Sequence, residues 1–243
     1  MTQLYEGKAK ILYQTEAPDV LRTVFKDDAT AFNAQKRGQI IGKGEVNCTV
    51  SAAIFRWLAT RGIATHFLEQ TAPTEMLVRA VKILPLEVVA RNIAAGSLCK
   101  QTGLPLGQVL PEPLVEFYYK NDALGDPLLT RDRLLLLELA TPEQLEQLRN
   151  LTLVINRHLR EFFEQCEITL VDFKLEFGLD SDAQLLLADE ISPDTCRLWD
   201  RAETDPQRRV LDKDRFRHDL GHVEAAYQQI RERVLAVAQS GDG

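Results

Sequence analysis

The sequence contains few cysteines, only four among 243 residues, and none of them forms a C-x-x-C pair. Structural zinc sites and redox motifs usually need cysteines at short spacings, so these positions disfavour a cysteine metal site and argue against disulfides. No apolar run approaches the ~20 residues that a membrane-spanning helix needs. The first eight residues also lack the apolar stretch of a signal peptide. These absences favour a cytoplasmic protein with no membrane association.

Basic residues are outnumbered, with 29 lysines and arginines against 36 aspartates and glutamates, a net charge of −7. This balance argues against a nucleic-acid partner, because nonspecific binding to the phosphate backbone needs a basic surface. Hydrophobic residues make up 45% and charged residues 27% of the chain, which is typical of a globular protein. The length corresponds to one large or two small domains.

The order of local patterns predicts an α+β fold with two lobes. A capping box at Thr141 and Gln144 begins a helix that runs to about Cys166. A hairpin turns at 178–182, and a last helix covers Lys213–Ala238. The other predicted elements are strands at Leu4–Tyr13, Val20–Lys26, Thr65–Leu68 and Met76–Ile83, and a helix at Glu45–Arg61. The expected division is a small β-rich lobe, residues 1–83, and a larger α+β lobe, residues 84–243, with a ligand cleft between them.

The segment Leu170–Gly178 alternates strictly between apolar and charged residues. On a strand, Val171 and the apolar residues after it share one face, while Asp172, Lys174 and Glu176 share the other, about 7 Å apart. A solvated sheet face is the simplest interpretation. The hairpin also brings Glu176 towards Asp189, however, and two carboxylates suit Mg²⁺ that is further held by phosphate oxygens.

Two further segments have residues suited to anions. No P-loop is present, but Gly7 permits a tight turn and is followed by Lys8 and Lys10, which can cover phosphates. This signal is weak, because the same residues are common on exposed hairpins. Arg91 ends an apolar strand just before a helix that begins at Ser97, an arrangement suited to a carboxylate or phosphate. A capping serine and a surface ion pair would give the same pattern. Downstream, Arg197 is another candidate anion ligand, whereas His218 and His222 are interpreted as residues of the helix surface.

Taken together, these segments resemble the SAICAR synthetase family of de novo purine synthesis. The resemblance spans nearly the whole chain and is most specific in the Pro-Leu-Glu…Arg…Gly-Ser and Val-Asp-Phe-Lys-Leu-Glu-Phe-Gly segments. The matching segments are Glu6–Lys10, Phe25–Phe32, Pro85–Ser97, Lys120–Ala123, Leu170–Gly178, Asp189–Asp200 and Leu211–Arg217. It implies a two-lobed fold related to the nucleotide clefts of ATP-grasp enzymes and protein kinases.

The resemblance also implies a reaction, in which ATP and Mg²⁺ drive the joining of L-aspartate to carboxyaminoimidazole ribonucleotide (CAIR). A homodimer is the usual form in bacteria. The implied ATP-binding residues are Lys8, Lys10, Lys82, Ile83, Lys120 and Lys174; the metal ligands are Glu176 and Asp189; the substrate-binding residues are Arg91, Ser97, Asp194 and Arg197; and the catalytic residues are Lys174 and Asp172. Two other functions remain open at this stage, a small-molecule kinase with similar lobes and a nucleotide sensor without catalysis.

Overall fold

The computed structural model describes residues 2–31 and 35–240, so Phe32, at the end of one of the matching segments, lies outside the described residues. In chain order the elements are β1 (Gln3–Glu6), β2 (Lys10–Gln14), β3 (Val20–Phe25), β4 (Asp28–Ala31), β5 (Lys36–Gln39), α1 (Lys43–Ala59), β6 (Phe67–Ala72), β7 (Glu75–Arg79), β8 (Lys82–Ile93), α2 (Ser97–Thr102), β9 (Val109–Tyr119), α3 (Arg131–Leu136), α4 (Pro142–Gln165), β10 (Ile168–Leu179), β11 (Leu185–Ala188), β12 (Cys196–Asp200), α5 (Asp214–Arg217) and α6 (Val223–Ser240).

Two antiparallel sheets organise these elements, and the α+β fold class is confirmed. The first sheet has the strand order β1-β2-β3-β7-β6. The second has the order β11-β10-β8-β9, and β12 pairs with the first half of β10. A separate ribbon joins β4 to β5. Within the described ranges, no helix is both long and apolar enough to cross a membrane.

The helix α4 covers the second sheet, and its start follows the predicted capping box. The Thr141 hydroxyl accepts from the backbone N–H of Gln144, and the Gln144 side chain accepts from the N–H of Thr141. Its apolar side chains, from Leu145 to Phe163, pack in one core with Phe173 of β10 and with residues of α1 and α6. Because α1 belongs to this core, helices from both ends of the chain enclose one face of the sheet. The lobe boundary at 83/84 stays a prediction.

The predicted alternation along β10 is correct from Asp172 onward but wrong at Val171. Phe173, like the later apolar residues of the strand, lies in the main core, and so does Leu170. Val171 packs instead in a separate cluster with Trp199. The cause is a bulge, because β12 pairs with Leu170 and then with Asp172, which leaves Val171 outside the ladder.

The prediction of one continuous helix over Lys213–Ala238 is wrong. The chain forms the short α5, turns, and begins α6 at Val223. Gly221 has a φ of +70°, and the guanidinium of Arg215 donates to its carbonyl at 2.8 Å. An arginine bonded to loop carbonyls stabilises the turn against helix continuation. His218 and His222 are exposed and do not share a helix.

The leucine-rich stretch at 134–137 divides between the two environments that its sequence permits. Leu134 is fully buried and belongs to the main core. Leu136 and Leu137 are 80% and 50% exposed. Leu135 is half-buried and packs against the same core, so the run contributes two side chains to the core and two to the surface.

The buried His66 provides a test of the core through pH. Burial, assisted by the charge of Lys10, lowers the pKa of His66 to about 3. The unfolded chain takes up a proton near the usual pKa of about 6.5 and the folded chain does not, so stability falls as the pH falls between these values, by up to about 1.4 kcal/mol per pH unit. We expect His66→Phe to reduce this slope, as measured by urea unfolding across that pH range. The same substitution at exposed His218 is the control, and an unchanged slope in His66→Phe would contradict the assignment.

Candidate active site

The charged face of β10 is buried rather than solvated. The side chains of Asp172 and Glu176 are only 5% and 3% exposed, and that of Lys174 is 26% exposed. The interpretation of this face as an ordinary solvated surface is therefore wrong. Neighbouring strands cover it with charged side chains of their own, and these divide into two groups. The lysine–carboxylate group around Lys174 is called the phosphate-side cluster, because the family resemblance predicts phosphate binding there, and the group around Asp172 is called the arginine cluster.

The phosphate-side cluster centres on the ammonium of Lys174. Its Nζ lies 2.6 Å from Glu176 Oε1, 3.0 Å from Glu87 Oε1 and 3.6 Å from Asp189 Oδ2. The register explains this convergence. Glu87 of β8 stands opposite Glu176, and Ala188 of β11 pairs with Glu176 from the other side, so that Asp189 follows directly. The sequence predicted the approach of Glu176 and Asp189, and the structure places both around one positive charge.

Further lysines complete this cluster. Lys10 Nζ lies 2.6 Å from Asp189 Oδ1 and 3.7 Å from Glu190 Oε1. Lys120 is ion-paired with Glu176. Lys8 points elsewhere, with its half-exposed ammonium 2.8 Å from Asp122 in the turn that follows β9. Of the two N-terminal lysines, Lys10 thus lies inside the cluster, while Lys8 pairs with a different carboxylate.

The carboxylates keep these buried lysines charged. Burial disfavours the ammonium of Lys174, but the charges of Glu176, Asp189 and Glu87 outweigh it and raise its pKa well above the usual value. Burial likewise opposes the charge of Lys10, and Asp189 and Glu190 raise its pKa. Although burial acts in the other direction, Lys10 and Lys174 hold the pKa of Asp189 far below its usual range. Lys10, Lys174 and Asp189 are therefore charged at neutral pH.

Lys82 and Ile83 lie where β8 begins, beside the end of β10. Their backbones pair with Leu179 and Gly178. A side chain at Gly178 would collide with Val81, so the two chains approach closely there. Ile83 is 37% exposed. The adenine contact at this position stays a prediction.

The arginine cluster begins with Arg91, which is almost fully bonded. Its Nε donates to Glu116 Oε2 at 2.7 Å, and its Nη1 donates to Asp172 Oδ2 at 2.8 Å. Its Nη2 donates at 3.0 Å to both Ser97 Oγ and Tyr118 Oη. Since a guanidinium has five N–H groups, one is left for a ligand. Arg91 and Ser97 are brought together as the sequence predicted, with Arg91 buried and Ser97 half-buried.

Arg197 approaches the same carboxylate from β12. Its Nη1 donates to both oxygens of Asp172, at 3.0 and 2.8 Å, and its Nε donates to Asp214 at 2.7 Å. Its Nη2 lies against Gly96, where any Cβ would collide with the guanidinium. Burial opposes its charge, but Asp172 and Asp214 raise the pKa of Arg197 further above its usual value. Asp172 thus orients two arginines, and Gly96 provides the space for one of them.

Asp194 lies in a third group, on the loop between β11 and β12. Its Oδ2 is 3.0 Å from Lys43 Nζ and 3.3 Å from Lys213 Nζ, and its Oδ1 accepts from Tyr227 at 2.7 Å. Burial opposes ionisation, but Lys213 and Lys43 lower the pKa of Asp194. The bonds of Asp194 are with these three residues, and not with Arg91, Ser97 or Arg197, the residues with which it was grouped by resemblance.

Sequence reasoning assigned no role to several residues that the geometry makes essential. The missed residues are Glu87, Glu116, Tyr118, Lys43, Lys213, Asp214, Glu190 and Tyr227. A local signal existed for two of them, because Glu116 and Tyr118 are two apart on a strand and therefore share a face. For Lys43 the sequence gives no signal, since one lysine near a helix start is usually exposed.

The donor set at Glu176 and Asp189 fits a hard cation. Both carboxylates face the single ammonium of Lys174, so their oxygens converge on one point of positive charge. Over residues 2–31 and 35–240 there is no group of three or more potential metal ligands among His, Cys, Asp and Glu side chains. Two carboxylates alone suit Mg²⁺, which usually completes its coordination with phosphate oxygens and water.

Fold and site together define an α+β protein whose second sheet gathers buried lysines, arginines and carboxylates into ion-paired clusters. A family model described as SAICAR synthetase matches residues 3–234. The chain belongs to the SAICAR synthetase family. Two relatives named phosphoribosylaminoimidazole-succinocarboxamide synthase support this. The one from Cyanothece sp. is 70% identical over 234 residues, covering 96% of this chain and 97% of its own. The one from Synechocystis sp. is 68% identical, covering 97% and 89%.

Solved structures of the same family have the same fold. The enzyme from Ehrlichia chaffeensis superposes with a TM-score of 0.92 at 43% identity, covering 97% of this chain and 99% of that one. A SAICAR synthetase solved in complex with ADP superposes with a TM-score of 0.90, also at 43% identity, covering 95% and 96%. The two-lobed, α+β expectation therefore has direct structural relatives, one of which contains a nucleotide.

The bond from Arg91 to Glu116 can be tested by stability. Glu116→Gln removes the charge from an acceptor of a buried guanidinium, and hydrogen bonds to charged groups contribute about 1.5–3 kcal/mol. We expect the free energy of unfolding to fall by about that amount in urea titrations. Glu112→Gln, an exposed position on the same strand, is the matched control. If both variants are as stable as the parent, Glu116 does not hold Arg91.

Proposed function

We propose that this protein is an ATP-dependent ligase that joins the carboxylate of CAIR to the amine of L-aspartate, forming SAICAR, ADP and phosphate in purine biosynthesis. One observation carries the proposal. One face of β10 carries Lys174 and Glu176, which belong to the lysine–carboxylate cluster. Two residues before Lys174, on the same face, Asp172 bonds to two arginines. A phosphate-binding group therefore lies directly beside an anion-binding group, as phosphoryl transfer to a carboxylate requires.

In this proposal the phosphate-side cluster binds ATP. Lys10 and Lys174 contact the phosphates, and Lys120 lies near the ribose. Lys8, which is paired with Asp122 in this structure, covers the phosphates only after it exchanges that carboxylate for a phosphate oxygen. The backbone at Lys82 and Ile83 contacts the adenine. The support is geometric, since Lys10, Lys120 and Lys174 already share the carboxylates of Glu176 and Asp189. Phosphate oxygens can replace these carboxylates as partners of the ammonium groups.

Glu176 and Asp189 would hold Mg²⁺, together with oxygens of the nucleotide. When bound, the ion neutralises charge that develops on the transferring phosphoryl group. The residues of the chain contribute position and charge. Lys174, fixed between three carboxylates, is oriented before the nucleotide arrives, so little reorganisation is needed at the moment of transfer.

The arginine cluster would bind the anionic substrates. Arg197 has its Nη2 free of protein hydrogen bonds within the described residues and is 19% exposed, so it can reach a ligand directly. Arg91 retains one N–H and, with Ser97, flanks the same region. Asp172 is proposed as the residue nearest the reacting groups, and its bonds to both arginines support an orienting role. Asp194 is proposed to act from the adjoining loop, together with Lys213.

The chemistry requires activation, because a carboxylate does not react with an amine at neutral pH. A carboxylate oxygen of CAIR attacks the γ-phosphorus of ATP, the bond to the β-phosphate oxygen breaks, and an acyl phosphate and ADP form. The aspartate amine then attacks the acyl carbon and loses a proton, and inorganic phosphate leaves. The protein's contribution is chiefly to position these groups and to neutralise their charge.

A coupled assay of ADP release tests this function. We expect ADP formation only when CAIR and L-aspartate are both present with ATP. A kinase would release ADP without aspartate and leave a stable phosphorylated product. A nucleotide sensor would bind ATP with no aspartate-dependent ADP formation. Either pattern would contradict the ligase assignment.

The carboxylate of Glu176 should be needed for magnesium-dependent turnover. Glu176→Gln keeps the size and polarity of the side chain but removes one anionic ligand, so we expect kcat to fall by at least about 100-fold, roughly 3 kcal/mol of transition-state stabilisation. The circular-dichroism spectrum should remain that of the parent. Glu75→Gln, which removes a carboxylate paired with Arg22 on the first sheet, is the control. Near-normal kinetics of Glu176→Gln at low Mg²⁺ would refute the metal assignment.

Three further expectations rest on family membership. The 1–83 lobe is proposed to bind the nucleotide together with the edge of the 84–243 lobe. The active form is proposed to be a homodimer located in the cytoplasm. The four cysteines, all free, agree with a reducing compartment. Sedimentation equilibrium distinguishes a dimer from a monomer of 27.5 kDa.

A further inference from the structure

One face of α1 carries polar residues although it is buried. Lys43, Asn47 and Ser51 are spaced four apart, so they lie along the same side of the helix. Lys43 Nζ is 3.0 Å from Asp194 Oδ2, and the Ser51 hydroxyl donates to the carbonyl of Ile191 at 3.1 Å. Both ends of this face therefore bond to the 190–194 segment, which runs past the helix.

Asn47 lies between these two contacts and is fully buried. Neither its Nδ2 nor its Oδ1 has a hydrogen-bond partner among the residues that the structure describes. A side-chain amide offers two donors and an acceptor, and buried polar groups in native proteins are nearly always bonded to protein or to ordered water. Since the amide is closed to solvent and lies on the face of α1 that bonds to the 190–194 segment, a partner missing there would be a molecule of the size of water.

The segment beside Asn47 joins the two halves of the site. Asp189, just before it, is ion-paired with Lys10 and Lys174 of the phosphate-side cluster. Arg197, just after it, donates to Asp172 in the arginine cluster. A shift of the segment relative to α1 would therefore move a residue of each cluster at once.

We propose that Asn47 is a positioning residue, which binds a buried water molecule between α1 and the 190–194 segment and so fixes the separation of the phosphate-side and arginine clusters. This inference rests on the proposed ligase function. Asn47 does not touch a substrate. It acts through the water and the segment, alongside the direct contacts of Lys43 and Ser51.

The substitution Asn47→Leu separates this role from simple packing. Leucine has nearly the same volume but cannot bond to water. If the amide were merely an unpaired group, its removal would raise the unfolding midpoint, because an unsatisfied buried polar group would be lost. If it binds water, the midpoint should be no higher than in the parent. Thr152→Val is the matched control, since Thr152 is fully buried on α4, its hydroxyl has no partner within the described ranges, and α4 lies on the apolar side of β10.

Kinetics provide the first readout. We expect Asn47→Leu to raise the KM for ATP and the KM for CAIR together, each by about fivefold or more. A purely structural defect would lower the fraction of active enzyme, and hence kcat, without moving either KM. Thr152→Val should leave both values unchanged.

Hydrogen exchange provides a readout that needs no catalysis. The N–H groups of Thr195 and Cys196 donate to the carbonyl of Ser192, and that of Leu198 donates to Asp212. These amides should exchange faster in Asn47→Leu and at the parental rate in Thr152→Val. If the parent shows no ligase activity but the exchange changes as expected, the proposed function fails while the positioning role stands.

The proposal is overturned if Asn47→Leu leaves both the KM values and the exchange rates unchanged. In an active enzyme it is also overturned if only one of these two readouts changes. Should Asn47→Leu fail to fold, Asn47→Ser and Asn47→Ala provide the comparison. Serine keeps a group that can bond to water and alanine does not. Asn47→Ser should remain closer to the parent in both readouts, and equal behaviour of the two would refute the role of the water.

Discussion

Compensation of charge on the buried face of β10 is the constraint on which the rest of the structure depends. Asp172, Lys174 and Glu176 lie on a strand that is covered on both sides, where an unpaired charge would destabilise the protein by several kcal/mol. The strands β8 and β12 and the loop after β11 therefore supply opposite charges, among them Glu87 and Arg91 from β8. For this reason the strand order of the second sheet also determines which charged residues meet at the site.

This compensation determines how ligands must bind. The lysines and arginines of the site are already paired with carboxylates, so the site holds no large excess of positive charge before a ligand binds. In the proposed function, an arriving phosphate exchanges with a carboxylate as the partner of an ammonium such as Lys174. The exchange keeps each charge satisfied throughout, and it fixes the cations beforehand in the geometry that the ligand needs. Preorganisation and stability have the same origin here.

Local patterns were sufficient to predict much of the fold. The capping box that begins α4, the strand before Ser97 and the alternation of β10 from Asp172 onward depend on neighbours in sequence, and the structure contains all of them. The break before α6 depends on Arg215 reaching loop carbonyls, and the displacement of Val171 depends on the register of β12. Such interactions form only when segments distant in sequence meet, so the periodicity of the sequence does not predict them.

The candidate site follows the same division. The sequence showed which charged residues share the face of β10, and it indicated Arg91 and Arg197 as candidate anion ligands. The sequence did not show that Asp172 accepts hydrogen bonds from both arginines. Nor did it show that Glu116 and Tyr118 accept two further hydrogen bonds from Arg91. Partners of this kind come from strands far apart in the chain, and a single sequence contains no record of their register.

The net charge of −7 is compatible with three anionic substrates because electrostatic range is short in solution. At physiological ionic strength, interactions between exposed charges are largely screened beyond about 8 Å. Carboxylates that lie farther than this from an incoming anion exert only a weakened, salt-dependent repulsion on it. Within the cleft, ion pairs near 3 Å are desolvated and barely screened. The affinity for an anionic ligand is therefore determined by the few lysines and arginines on the second sheet. The net negative charge of the chain affects only how readily the ligand approaches.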